Sequence, residues 1–129
     1  MKTAYMALIA LALTAAPALA ISQRIEDELD QLDPEEKLEQ RCDVEALGRI
    51  DDARKDMSPD KVIAYTFAPT TVTGTTMEAP GAAVRSGGRW YKLSYRCVAA
   101  RDEIAIKSFS FKLGDEIPRD SWDRLYLYP

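Results

Sequence analysis

The sequence contains no histidine. Without an imidazole, Ser-His and Cys-His nucleophilic couples are excluded, and so are the usual histidine-bearing zinc sites. Cysteine is scarce too: Cys42 and Cys97 are the only two, and neither has a CxxC neighbour that would lower a thiol pKa. The six glycines form no Walker loop or dinucleotide fingerprint, and Gly87-Gly88 reads as a hairpin connector. Beyond residue 20 every apolar stretch is broken by Lys or Arg, so no later segment is expected to span a bilayer. Adjacent carboxylates such as Asp51-Asp52, Asp102-Glu103 and Asp115-Glu116 have no spacing that singles out an acid-base couple. Ser58-Pro59-Asp60-Lys61 fits an S-x-x-K pattern but sits in a turn before a strand. The expectation is a chain that is not an enzyme, with no catalytic residues, no metal and no cofactor.

What is present begins with "MKTAYMALIALALTAAPALA": Lys2, an apolar run from Tyr5, and a small-residue ending at Ala18-Leu19-Ala20. That pattern predicts a secretory signal peptide over 1–20, cleaved after Ala20, because a spanning helix needs about twenty apolar residues and this run is shorter. Residue 21 is Ile, so a lipidated cysteine is not expected there. The chain is expected to be exported.

Charge is divided along the chain. Between Ile21 and Asp60 there are fourteen acidic and six basic residues; from Lys61 to Pro129 there are seven acidic and ten basic. An acidic whole argues against nucleic acid, whose phosphates require a dominant basic field.

The segment 21–32, with Ile25, Leu29 and Leu32 among acids, reads as an N-terminal arm, either a weak amphipathic helix or a mobile extension. A single α+β domain is expected over 33–129. Asp33, Pro34, Glu35 and Glu36 supply a helix start. Leu38, Cys42, Ala46, Leu47, Ile50 and Ala53 then recur every three to four residues as one apolar stripe. From Lys61 the period falls to two. "KVIAYTFA" places Ile63, Tyr65 and Phe67 on one strand face; "TVTGTTMEA", "RWYKLSYRCVA" and "EIAIKSFSFKL" read as further strands. The connectors are "APTT", "APGAA", "RSGG", "ARDE" and "LGDEIP", and a parity change between Ile106 and Phe109 suggests a bulge near Lys107 and Ser108. The tail, with Trp122, Leu125, Tyr126 and Leu127, should dock on the body.

In the third strand Tyr91, Leu93, Tyr95 and Cys97 share one face. Cys42 lies on the helix stripe, so both sulfurs face the layer between helix and sheet, as a structural disulfide requires. The predicted architecture is an N-terminal helix packed on a mainly antiparallel, curved sheet of four or five strands, with one helix-to-sheet disulfide. The opposite face carries Trp90, Lys92, Ser94 and Arg96, and with Arg85 and Arg89 it forms a cationic stripe with an exposed indole. That stripe is the ligand-binding candidate, suited to an envelope glycan, a lipid head group or an acidic protein; a plain solvated sheet face is one alternative, and the acidic N-terminal arm folding back over the stripe is another.

Three segments, "LDPEEKLEQRCDVEALGRI", "APGAAVRSGGRWYKLSYRC" and "GDEIPRDSW", occur in order, and the chain from Leu32 to Tyr128 resembles an exported alphaproteobacterial family catalogued as domain of unknown function nine hundred and thirty. The resemblance implies an envelope protein of a bacterium with two membranes and supports pairing the cysteines of "QRC" and "YRC". It implies no activity. The functional expectation is a non-catalytic periplasmic binding or interaction protein. The alternatives are an inhibitor of a cationic envelope enzyme such as a lysozyme, and a small carboxylate-dependent hydrolase. The sequence names no ligand and no oligomeric state.

Overall fold

The computed structural model describes residues 21–129. The predicted leader falls on residues 1–20, outside the described residues. Ser22 caps a short helix α1, Gln23–Leu29, its hydroxyl accepting from the Ile25 N–H. The arm is thus helical, with Leu29 buried and Asp30 paired to Lys37 at 2.7 Å. Helix α2, Pro34–Ala53, starts where the Asp-Pro-Glu-Glu signal places it. Its buried stripe is Leu38, Cys42, Ala46 and Ile50, while Leu47 is half-buried and Ala53 is exposed.

Five strands follow: β1 Pro59–Ile63, β2 Thr71–Thr73, β3 Thr76–Ser86, β4 Arg89–Ala99 and β5 Ile106–Glu116. They form one antiparallel open sheet in the order β1-β3-β4-β5, with β2 also paired to β3. One edge of β3 therefore serves two partners in succession. β1 pairs with Ala83–Ser86, and β2 pairs with Thr76–Glu78.

Between those two ladders the structure departs from the expected connector. "APGAA" is not a connector but the middle of β3, where the pairing slips by one residue between Ala79↔Tyr95 and Ala82↔Leu93. Pro80 lacks a ladder donor and is tolerated because it sits in this bulge. Gly81 is required for a different reason. The β1–β2 linker crosses over it, with Phe67 N donating to Gly81 O at 2.7 Å, and an added Cβ would meet Ala68 Cβ at 2.9 Å. The chain leaves the sheet after Ile63, so "KVIAYTFA" does not alternate as one long strand. Val62 and Ala64 enter the core, and Tyr65 and Phe67 are exposed on the linker. "TVTGTTMEA" likewise divides into a hairpin at Gly74, whose φ is +61°. The Gly87-Gly88 turn has positive φ at both residues, as a two-residue hairpin demands. "LGDEIP" also differs: β5 continues through it to Glu116, with a second irregularity opposite Tyr91 and Leu93. The bulge expected near Lys107 is present, since Val98 pairs Ser108 and Ala99 pairs Ile106, leaving Lys107 over.

The sheet separates two apolar clusters. The larger lies between α2 and the inner face and includes Leu38, Ile50, Met77, Leu93 and Tyr95. Through it runs the Cys42–Cys97 disulfide, with Cα atoms 6.0 Å apart and 55 residues enclosed. The smaller lies on the outer face, where Ile117, Trp122 and Leu127 cover Ala83 and Trp90. The tail reaches it through two short 3₁₀ turns, Arg119–Ser121 and Asp123–Leu125. Tyr126, at φ +57°, then reverses the chain, which drives Leu127 inward and leaves the Tyr126 ring in solvent.

Closing a loop of 55 residues removes about 4 kcal/mol of unfolded-chain entropy. Replacing Cys42 and Cys97 by Ser should therefore lower unfolding free energy by about 2–5 kcal/mol, read from urea unfolding as a lower midpoint with a steeper slope, because the uncrosslinked chain unfolds to a more open state. An unchanged midpoint would show that the crosslink contributes nothing to the fold.

Candidate functional site

The cationic stripe divides into two parts. Trp90 is not exposed: it is 1% accessible and its indole Nε1 donates to Tyr128 O at 2.7 Å. The even-numbered face of β4 was expected to be solvated throughout, but the tail covers its first third. Arg85 belongs to the same structural cluster. Its guanidinium binds both oxygens of Asp60, at 2.8 and 3.2 Å, lies over the Trp90 ring, and donates to the carbonyls of Tyr128 and Pro129. The hydrogen bonds from Arg85 hold the Asp60 carboxyl below its usual range. Arg89 is exposed at the hairpin, 3.7 Å from Glu116.

The other part stays open. Lys92 and Arg96 project from the outer face of β4 beyond the tail. Arg96 pairs with Glu78 at 3.3 Å, and the Lys92 ammonium sits 5.3 Å from the Phe67 ring centre. Lys112 joins them, because Ser94↔Lys112 and Arg96↔Ser110 are cross-strand pairs on the same face. The result is a groove of two adjoining depressions of about 360 and 340 Å³ that share Pro80, Ser94 and Lys112. Its floor is low because Ser94, Ser110, Pro80 and Gly81 are small. Its walls are Phe67, which is 45% exposed, and the three cations, against one carboxylate, Glu78. Sequence reading missed Phe67 and Lys112. Phe67 arrives only because the linker crosses Gly81, and Lys112 only because the bulge at Lys107 resets the parity of β5.

A second polar constellation lies on the helix side. Asp43 follows Cys42 and faces the inner sheet rim, where its Oδ1 accepts the Tyr95 hydroxyl at 2.7 Å. It is 9% exposed, and burial pushes its carboxyl up to about 7, opposed by the Tyr95 hydrogen bond. Burial and the neighbouring Asp43 carboxyl hold the Tyr95 hydroxyl protonated far above its usual range. Glu39 is raised as well, by burial and by Glu36. Asp43 and Glu39 border a cleft of about 310 Å³ between α2 and β1 that Lys61 and Tyr65 also line. On the other side of Cys42, buried Arg41 donates to Glu45 at 2.9 Å and to Ile104 O at 2.7 Å, while Arg49 donates to the second Glu45 oxygen. These contacts tie α2 to the sheet and to the loop after β4. Among the described residues no group of three or more His, Cys, Asp or Glu converges as a metal-ligand set, and no helix is long and apolar enough to cross a membrane.

Removing the Trp90 side chain should cost about 3–5 kcal/mol, because it empties the outer cluster and leaves the Tyr128 carbonyl only the longer bond from Arg85. Trp90→Ala should thus fail as a surface substitution would not, with a depressed thermal midpoint as the measurement. A second expectation concerns pH. Asp43 ionises near 4 in the unfolded chain and about 7 in the fold, so between these values the folded state binds the extra proton. Stability should fall as pH rises from about 4 to about 7, by on the order of a few kcal/mol, and level off above. Asp43→Asn keeps an acceptor for Tyr95 and should remove that decline in urea unfolding measured across the window. A parallel decline in the variant would mean that Asp43 is not its source.

Comparison with known proteins adds a family and nothing finer. Neither the curated proteins nor the solved structures contain a match to the chain. A family does match, over residues 29–127, a span that takes in α2, all five strands and the tail as far as Leu127. The chain belongs to the family described as Domain of Unknown Function (DUF930).

Proposed function

We propose that this protein is an exported, non-catalytic binding domain whose outer sheet groove holds an acidic glycan of the cell envelope. The observation that carries the reading is the groove itself: Lys92, Arg96 and Lys112 around a floor of Ser94 and Ser110, with the Phe67 ring at one wall. Three cations against one carboxylate suit a ligand with repeated negative charge. An elongated, shallow and open site suits a polymer more than a small molecule, which is usually enclosed. The serine hydroxyls offer hydrogen bonds to sugar hydroxyls, and an aromatic ring offers an apolar face for stacking. Export is supported by the leader-like start of the sequence and by the disulfide, which persists in oxidising compartments. The absence of catalysis is supported by the lack of histidine and by the engagement of both cysteines in one bond.

The test is binding of polygalacturonate, a uronic-acid polymer, with neutral dextran as the control. Polygalacturonate should bind with an affinity that falls steeply as salt is raised, and dextran should not bind. Lys92→Glu and Lys112→Glu should each weaken binding by about tenfold, the equivalent of about 1.4 kcal/mol, without moving the thermal midpoint, and Arg96→Gln, which sets no second carboxylate opposite Glu78, should weaken it as well. Phe67→Ala should weaken it at all salt concentrations. Equal binding by the charge-reversed variants, or equal binding of dextran, would overturn the reading.

A further inference from the structure

β5 ends the sheet, and among the described elements it touches only β4 and α2. Its far edge is therefore a row of backbone donors and acceptors with no strand beside it, over an element of eleven residues. Between its two irregularities, Ser108 to Leu113 pairs without interruption with β4. Edges of this length are normally blunted by charge or cover. Here the inner side of the edge is apolar: Phe109, Phe111 and Leu113 lean on the main core but remain partly exposed, because α2 lies mostly over β1. The Phe109 ring stacks on Tyr95 at 5.3 Å and meets Phe111 at 6.4 Å, and the Arg49 guanidinium lies over it.

The residues of this edge complement themselves. In an antiparallel pairing of two identical strands the two-fold axis passes through one residue position, if inner side chains are to remain opposite inner ones. With the axis at Phe111, Phe109 faces Leu113, Ser110 faces Lys112, and Phe111 faces its own copy. In the same register Lys107 lies opposite Asp115. Moving the axis to Ser110 sets Lys107 against Leu113, and moving it to Phe109 sets Lys107 against Phe111. Only the Phe111 axis pairs apolar with apolar and Lys107 with a carboxylate. Lys107, which would guard this edge against foreign strands, has an acidic partner in a second copy of the same chain.

We propose that β5 is a self-association edge, on which a second copy of this chain pairs antiparallel about Phe111 to continue the sheet across two subunits. The inner rims then place Phe109, Phe111 and Leu113 of both copies in one apolar seam. The outer faces bring the two Lys112 side chains onto one surface.

Sedimentation velocity of the purified protein, without glycan, tests this separately from the binding reading above. The protein should show a concentration-dependent monomer–dimer equilibrium. Asp115→Lys should weaken it by about tenfold, by placing like charges opposite each other, and Lys107→Asp added to it should restore it. Far-UV circular dichroism should show both variants folded. Under mild oxidation Phe111→Cys should give a disulfide-linked dimer with Cys42–Cys97 intact, whereas Ser108→Cys, six positions from its own copy in this register, should not. A monomer at every concentration, a dimer indifferent to Asp115→Lys, or crosslinking through Ser108→Cys in place of Phe111→Cys would each overturn the proposal.

Discussion

Three successive residues of α2 hold it to the rest of the molecule. Arg41 donates to the carbonyl of Ile104 beyond the end of β4, Cys42 is bonded to Cys97 within β4, and Asp43 accepts from Tyr95 two positions earlier on that strand. Neighbouring helix residues point about 100° apart, so three anchors in a row grip the sheet from the middle and both flanks of the helix. They fix its rotation as well as its position. A helix held by apolar burial alone could slide or roll at modest cost, because that attraction is non-directional. The rotation in turn explains why Asp43 and Arg41 are buried. Once Cys42 points into the core, its neighbours must lie at the rim, and each finds a partner there.

Much of this was legible in the sequence, and the part that was not has a common cause. The start of α2, its stripe, the Gly87-Gly88 turn and the bulge at Lys107 are local signals a few residues long, and the helix-to-sheet bond was legible because the chain has only two cysteines, each on a core-facing position of its element. Trp90 was misplaced because alternation assigns a residue to a face but does not say what covers that face. The tail that covers it, Trp122 to Tyr128, was recognised as apolar without a docking position. "APGAA" was misread for a related reason. Proline and glycine side by side resemble a turn, and only the arrival of two separate strands on one edge of β3 turns them into a bulge with a crossover. Tyr65 and Phe67 differ for the same reason, since the strand ends at Ile63 and the linker beyond Ala64 carries both rings outward. The groove was half legible: Lys92 and Arg96 came from one strand, whereas Phe67 and Lys112 required the tertiary path.

The outer face shows how a protein of this size divides one surface between stability and exposure. The tail buries the end of β4 nearest the Gly87-Gly88 turn, with Arg85 bridging Asp60 and the last carbonyls, and the rest of the face keeps its charges in solvent. Those charges are only partly neutralised, because Glu78 is the one carboxylate among them.

The acidic residues lie mainly on the other side of the sheet. Glu26, Asp27, Glu28, Glu35 and Glu36 cluster on α1 and the first turn of α2, while Lys92, Arg96 and Lys112 point the opposite way. The two groups are separated by the thickness of the domain, which gives the molecule a permanent electric moment directed through the sheet. Near a negatively charged layer, and within a Debye length of about 8 Å at physiological ionic strength, that moment exerts a torque. The domain would turn its strands toward the layer and its helices away before any contact is made, so orientation would precede recognition and would vanish as the ionic strength rises.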